Sequence, residues 1–179
     1  MRIFFLSILV SSFYIMGNCD LASDSSKLVI AGGSLTEIVY DLKEEEKLIA
    51  VDVTSNYPLD AKSLPSIGYV RALSTEGLLS LSPSLILGEN DMGPPLVLDQ
   101  LKLVGVDIRI IPEDHSVGGI IDKVNCVSKI LGTGSNKKNR LKEKLDENIN
   151  LLKKSQEKIF SKDTSVMLIL NLQGTSPIV

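Results

Sequence analysis

Lys27-Leu28-Val29-Ile30-Ala31-Gly32-Gly33-Ser34-Leu35-Thr36-Glu37 decides the fold of this chain. A short β-branched run stops at paired glycines, and Ser34 with Glu37 three residues later has the form of a capping box. The segment therefore predicts a strand, a tight turn and a short helix ending near Leu42.

The same alternation continues outward. Leu48-Ile49-Ala50-Val51 reads as a second strand, followed by an irregular polar stretch containing Tyr57-Pro58 and Leu64-Pro65. Ser74-Thr75-Glu76 opens a helix whose apolar face includes Leu78, Leu79 and Leu81, and Pro83 separates it from the strand Leu85-Ile86-Leu87. Pro94-Pro95 starts a helix that runs to Val104 and closes at Gly105; a strand over 106–111 follows. Ser116 caps a further helix to Leu131, which stops at Gly132-Thr133-Gly134. Apolar strands alternating with amphipathic helices predict an α/β lobe over residues 27–135, a parallel sheet with helices on both faces. Ligands of such sheets bind beyond the carboxyl ends of the strands. The loops after Ala31, Val51, Leu87 and Ile111 should share that edge, within reach of Tyr69 and Arg71 in the long second connection.

From 137 to 160 the pattern changes. Leu141, Leu145, Ile149, Leu152 and Ile159 recur at near-helical spacing among charged residues. They predict one helix of about 24 residues, about 36 Å long, connecting to a second domain. Residues 164–179 are expected to open that domain with an apolar strand, Ser165 to Leu172, and a turn at 173–177. The chain reads as truncated there.

The N-terminus has the form of a signal peptide over residues 1–17: Met1-Arg2 is followed by a charge-free apolar run to Met16, too short to span a bilayer. Cleavage after Gly17 is one reading. Lipidation at Cys19, within Met16-Gly17-Asn18-Cys19, is the other. No disulfide is expected from the two cysteines, one at the processing site and the other, Cys126, inside a helix as a small buried hydrophobe. A net charge of −3 and the absence of a basic stripe argue against nucleic acid as a partner.

Gly68-Tyr69-Val70-Arg71-Ala72-Leu73-Ser74 is the candidate binding segment. A tyrosine hydroxyl can deprotonate on Fe(III) and serve as an anionic oxygen ligand, as in tyrosine-ligated haem. A neighbouring guanidinium favours that phenolate or clamps a ligand carboxylate. The competing reading is a turn tyrosine packed on a core. Gly32-Gly33-Ser34 lacks the longer glycine fingerprint of a phosphate cradle. His115, the only histidine, has no cysteine or carboxylate cluster at zinc-like spacing. An exported hydrolase-type α/β enzyme using the loops at Gly33 and His115 is the alternative from another class. No nucleophile–base pair supports it, and no enzyme is expected.

Taken together with Ala31-Gly32-Gly33-Ser34-Leu35-Thr36-Glu37, Leu81-Ser82-Pro83-Ser84-Leu85-Ile86 and His115-Ser116-Val117, the Tyr69 segment resembles the haem-binding members of the periplasmic substrate-binding proteins of bacterial ABC importers. The resemblance spans residues 27–179. It implies the first lobe of a class III periplasmic binding protein, a long inter-lobe helix over 137–160 and a truncated second lobe. It also implies haem (hemin) as the transported ligand, Tyr69 as the haem-iron ligand and Arg71 as support for the tyrosine or a propionate. Glu76 would dock on an inner-membrane permease, and the protein would work in the periplasm. Cobalamin or a ferric siderophore is the alternative ligand on the same fold. A truncated, nonfunctional product is a further possibility.

Overall fold

The computed structural model describes residues 19–159, with 165, 171–173 and 176–178. The expected signal peptide lies outside these residues, as do Phe160 and most of the expected strand from Ser165.

Four short strands form one parallel sheet: β1 (Leu28–Ala31), β2 (Leu48–Val51), β3 (Leu85–Gly88) and β4 (Asp107–Ile110). Their spatial order is β2-β1-β3-β4, with Val29 level with Ala50 on one side and Ile86 on the other. The helices between them are α1 (Gly33–Asp41), α2 (Thr75–Ser80) and α3 (Pro95–Leu103), and α4 (Val117–Ile130) follows β4. β1 and β3 are completely buried, so their sequences are continuous apolar runs rather than alternating ones.

Successive side chains on a strand face opposite ways. Val29, Ala31, Ala50 and Ile86 therefore share a cluster with Leu78 of α2 and with Val97, Leu98 and Leu101 of α3. Leu28, Ile30, Leu85 and Leu87 take the other face, and α1 packs beside α4. Each fully buried leucine or isoleucine contributes about 1.5–3 kcal/mol relative to exposure. Leu87→Ala would cost about 2–5 kcal/mol.

The expected capping box does not form. Helix α1 starts two residues earlier, with Gly32 instead of Ser34 at the cap position, φ 144° and ψ 121°, and no side-chain cap. Ser34 instead donates its hydroxyl across the sheet edge to Glu89 Oε1, at 2.5 Å. The other two caps form: Ser74 Oγ accepts from Gly77 N and Ser116 Oγ from Gly119 N, at 3.2 and 3.0 Å.

The structure also overturns the expectation for the cysteines: Cys19 and Cys126 form a disulfide across 107 residues of sequence. Spacing along the chain could not reveal it, because the pairing follows from the segment before β1 lying along α4. Ala22 N donates to the Ile130 carbonyl at 2.9 Å, and Lys129 pairs with Asp20 at 3.1 Å. The same sulfur cannot carry a lipid thioether, so the structure disagrees with lipidation of Cys19.

The chain divides into two compact units near Lys142. The long helix α5 (Ser135–Ile159) begins in the first unit, with Leu141 buried, while Leu151 and Leu152 are exposed. In the second unit, β5 (Asn171–Gln173), which begins within the expected strand, pairs antiparallel with β6 (Ser176–Ile178), which begins where the sequence suggested a turn.

Candidate functional site

The carboxyl edge of the sheet collects the loops after all four strands, with the topological switch point between β1 and β3. Buried Asp52, just past β2, organises the first part of this edge. Its Oδ1 accepts from Gly32 N and Ser55 Oγ, and its Oδ2 from Thr54 N and Thr54 Oγ1, at 2.6–3.1 Å. Glu89, directly after β3, lies at the switch point, where it accepts from Lys123 of α4 as well as from Ser34. Both partners of that ion pair are largely buried. Sequence reasoning missed Asp52, Glu89 and Lys123. Only Asp52 left a local signal, an acidic residue two before a threonine directly after a strand.

The Tyr69 segment rests on this framework through its backbone. Val53 N donates to the Gly68 carbonyl, Gly93 N to the Val70 carbonyl and Leu73 N to the Gly93 carbonyl, each at 3.0 Å. Gly68 has φ 86°, a region that favours glycine, and this bend turns the chain toward the edge. Val70 and Leu73 are buried beneath the segment, while Tyr69 and Arg71 face outward. Tyr69 is 48% exposed, so the competing reading of a core-packed ring does not hold. No hydrogen bond to its hydroxyl occurs among the described residues.

Arg71 is engaged within the chain. Its Nε and Nη2 both lie 3.1 Å from Asp91 Oδ2. The hydrogen bond that Arg71 donates to Asp91 holds the guanidinium above its ordinary pKa, with the Tyr69 oxygen and the Asp91 charge adding to it. Tyr69 and Arg71 share this outward-facing stretch, and sequence reasoning missed Asp91, which comes from the loop after β3.

Glu76 is exposed in the first turn of α2, where a carboxylate suits the helix N-terminus. His115 is exposed in the loop after β4, and Ser116 rather than His115 caps α4. Among the described residues no group of three or more histidine, cysteine or acidic side chains could hold a metal ion.

Comparison with known proteins adds the family. The model described as "Periplasmic binding protein" matches residues 28–179. The crystallised periplasmic heme-binding protein HutB of Vibrio cholerae superposes with a TM-score of 0.67 at 35% identity, over 73% of this chain and 50% of that one. The periplasmic heme-binding protein RhuT from Roseiflexus sp. RS-1, in apo form, gives 0.71 at 33% identity, over 77% and 52%. The vitamin B12-binding protein of Yersinia pestis (strain Pestoides F) is 30% identical over 105 residues, 58% of this chain and 38% of that protein. The chain thus spans about half of the solved structures it matches, and less of the curated relative. A four-stranded parallel sheet flanked by helices, equivalent to the first lobe of the class III architecture, and a family match across most of its length make this chain a member of the periplasmic binding protein family.

Proposed function

We propose that this chain supplies the ligand-binding lobe of a periplasmic haem receptor that feeds an ABC importer. The observation that carries the reading is an outward-facing tyrosine, Tyr69, held by three backbone hydrogen bonds at the carboxyl edge of the sheet beside a cationic side chain. The likeness to heme-binding HutB and RhuT at 33–35% identity supports haem as the ligand. Tyr69 coordinates ferric iron through its phenolate oxygen, and Arg71 offers positive charge to that oxygen or to a propionate. Binding and release need no covalent change in the ligand, so the protein is a carrier rather than an enzyme. Glu76 provides a reversible ion pair with an arginine of an inner-membrane permease.

Haemin titration tests the reading. The protein should develop the absorption of ferric haem bound by a tyrosinate, and Tyr69→Phe should abolish it. An identical spectrum in the variant would refute the role of Tyr69.

The likeness to a vitamin B12-binding protein favours a second reading, cobalamin on the same edge. Tyr69 would then be an aromatic wall. Cobalamin that competes with haemin at comparable concentration would favour it.

A further inference from the structure

Asp91 occupies the one guanidinium that faces outward beside Tyr69, and we propose that it is a placeholder for an anionic group of the ligand. The inference deepens the haem reading above and rests on it. Asp91 lies in a turn, Met92 N donating to the Glu89 carbonyl at 3.0 Å, and that turn is tied to the Tyr69 segment through Gly93. The carboxylate is therefore presented to Arg71 by backbone fixed on both sides, independently of its own side-chain pairing. Its use of Arg71 is nonetheless incomplete: Nε and Nη2 converge on a single oxygen, Oδ2. A ligand carboxylate could instead take the two nitrogens in parallel, one to each oxygen, the stronger arrangement for this pair.

The pair is also open to water, with 63% of the Arg71 side chain and 37% of the Asp91 side chain accessible. An ion pair in that setting is weak and exchanges readily. The contrast with Glu89, two residues earlier in the same loop and paired with Lys123 of α4, is informative. That pair is closed off at 12% and 14% exposure, so it belongs to the framework. One loop thus carries a fixed carboxylate and an exchangeable one.

Exchange has a defined consequence. In the free protein Asp91 neutralises Arg71 and keeps the edge from holding small anions. When a porphyrin carboxylate arrives, Arg71 transfers to it, and Asp91 turns to water as a like charge. Asp91 therefore weakens binding to this lobe, which suits a carrier that must release its cargo.

The test uses iron-free protoporphyrin, which has two carboxylates and no metal, and its dimethyl ester, both followed by fluorescence. Asp91→Asn should tighten the diacid by about 2- to 5-fold, as expected for an exposed ion pair, and leave the diester unchanged. With Arg71→Ala in place, Asp91→Asn should have less effect, because only the loss of repulsion remains. Weaker diacid binding in Asp91→Asn would overturn the proposal and make Asp91 a positioning partner of Arg71. An equal gain for the diester would overturn it too, since no carboxylate would be involved. The iron-free probe separates this result from the Tyr69 reading, which the haemin spectrum decides. If neither iron-free porphyrin binds, the placeholder role of Asp91 falls, and the haemin spectrum still decides the Tyr69 reading.

Discussion

Breaking the Cys19–Cys126 bridge should destabilise the first unit by about 3 kcal/mol, and the geometry of the N-terminal segment sets that figure. Cross-linking the ends of a 107-residue stretch removes about 16 cal/mol/K of entropy from the unfolded chain, about 4.8 kcal/mol at 25 °C. Measured bridges usually give about 2–4 kcal/mol, because the reduced unfolded state keeps some structure. Here the discount is tangible. The segment before β1 is held to α4 by the Ala22–Ile130 hydrogen bond and the Lys129–Asp20 pair as well, so a reduced protein need not lose the whole contact. Urea unfolding of the oxidised and reduced protein is the cleanest assay. Reduction leaves every side chain in place, so cavity terms cancel, and Cys19→Ala/Cys126→Ala serves as the second arm. The thermal midpoint should fall by about 6–12 °C. Coincident urea midpoints for the oxidised and reduced protein would refute the reasoning, as would two reactive thiols in protein denatured without reductant.

Three further outcomes follow from local geometry. Glu44 is buried and takes Lys47 at 2.7 Å and Lys137 at 2.9 Å. Burial alone would raise its pKa, but hydrogen bonds from Lys47 and Lys137 outweigh that and hold it below the ordinary 4.5. A depressed carboxyl stabilises the fold above its unfolded value and loses that contribution as pH falls through the folded one. Glu44→Gln should therefore cost about 1–3 kcal/mol near neutrality and flatten the acid side of a urea-midpoint profile from pH 6 to 3; a profile of unchanged slope would refute it. In Gly33→Ala, the added Cβ would stand 2.8 Å from the Thr54 carbonyl. It should cost about 1–3 kcal/mol, and because Val53 is bonded to Gly68 it should also lower haemin affinity; wild-type values for both would show that the loops move independently. Glu76→Lys should leave the urea midpoint within about 0.5 kcal/mol and haemin binding unaltered, while uptake through the cognate importer falls; unchanged uptake would remove Glu76 from the docking surface.

What could be read from the sequence, and what could not, divides along the distance between interacting residues. β1 and β3 were legible because burial on both faces demands an unbroken apolar run, and Pro94-Pro95, Ser74 and Ser116 mark helix starts through chemistry confined to one turn. Tyr69 and Arg71 were legible for the same reason, two residues apart in a glycine-led bend. The capping box failed although its pattern was correct: Ser34 had a partner 55 residues away, Glu89, and the glycine at position 32 already supplied the turn that a side-chain cap would stabilise. The disulfide failed because helical placement of Cys126 says nothing about what lies against that helix.

The same division bears on function. Arg71, taken from the sequence, is either a ligand contact or one half of a surface ion pair; in the fold it has a carboxylate, delivered from 20 residues further along. If the proposed site at Tyr69 and Arg71 binds a ligand, its affinity depends on what must be displaced, and that is set by the loop after β3. Two carboxylates in that loop meet two cations. Burial fixes one pair and solvent leaves the other exchangeable. The difference in exposure, rather than in residue type, separates the framework of this edge from the pair that the proposed ligand would claim.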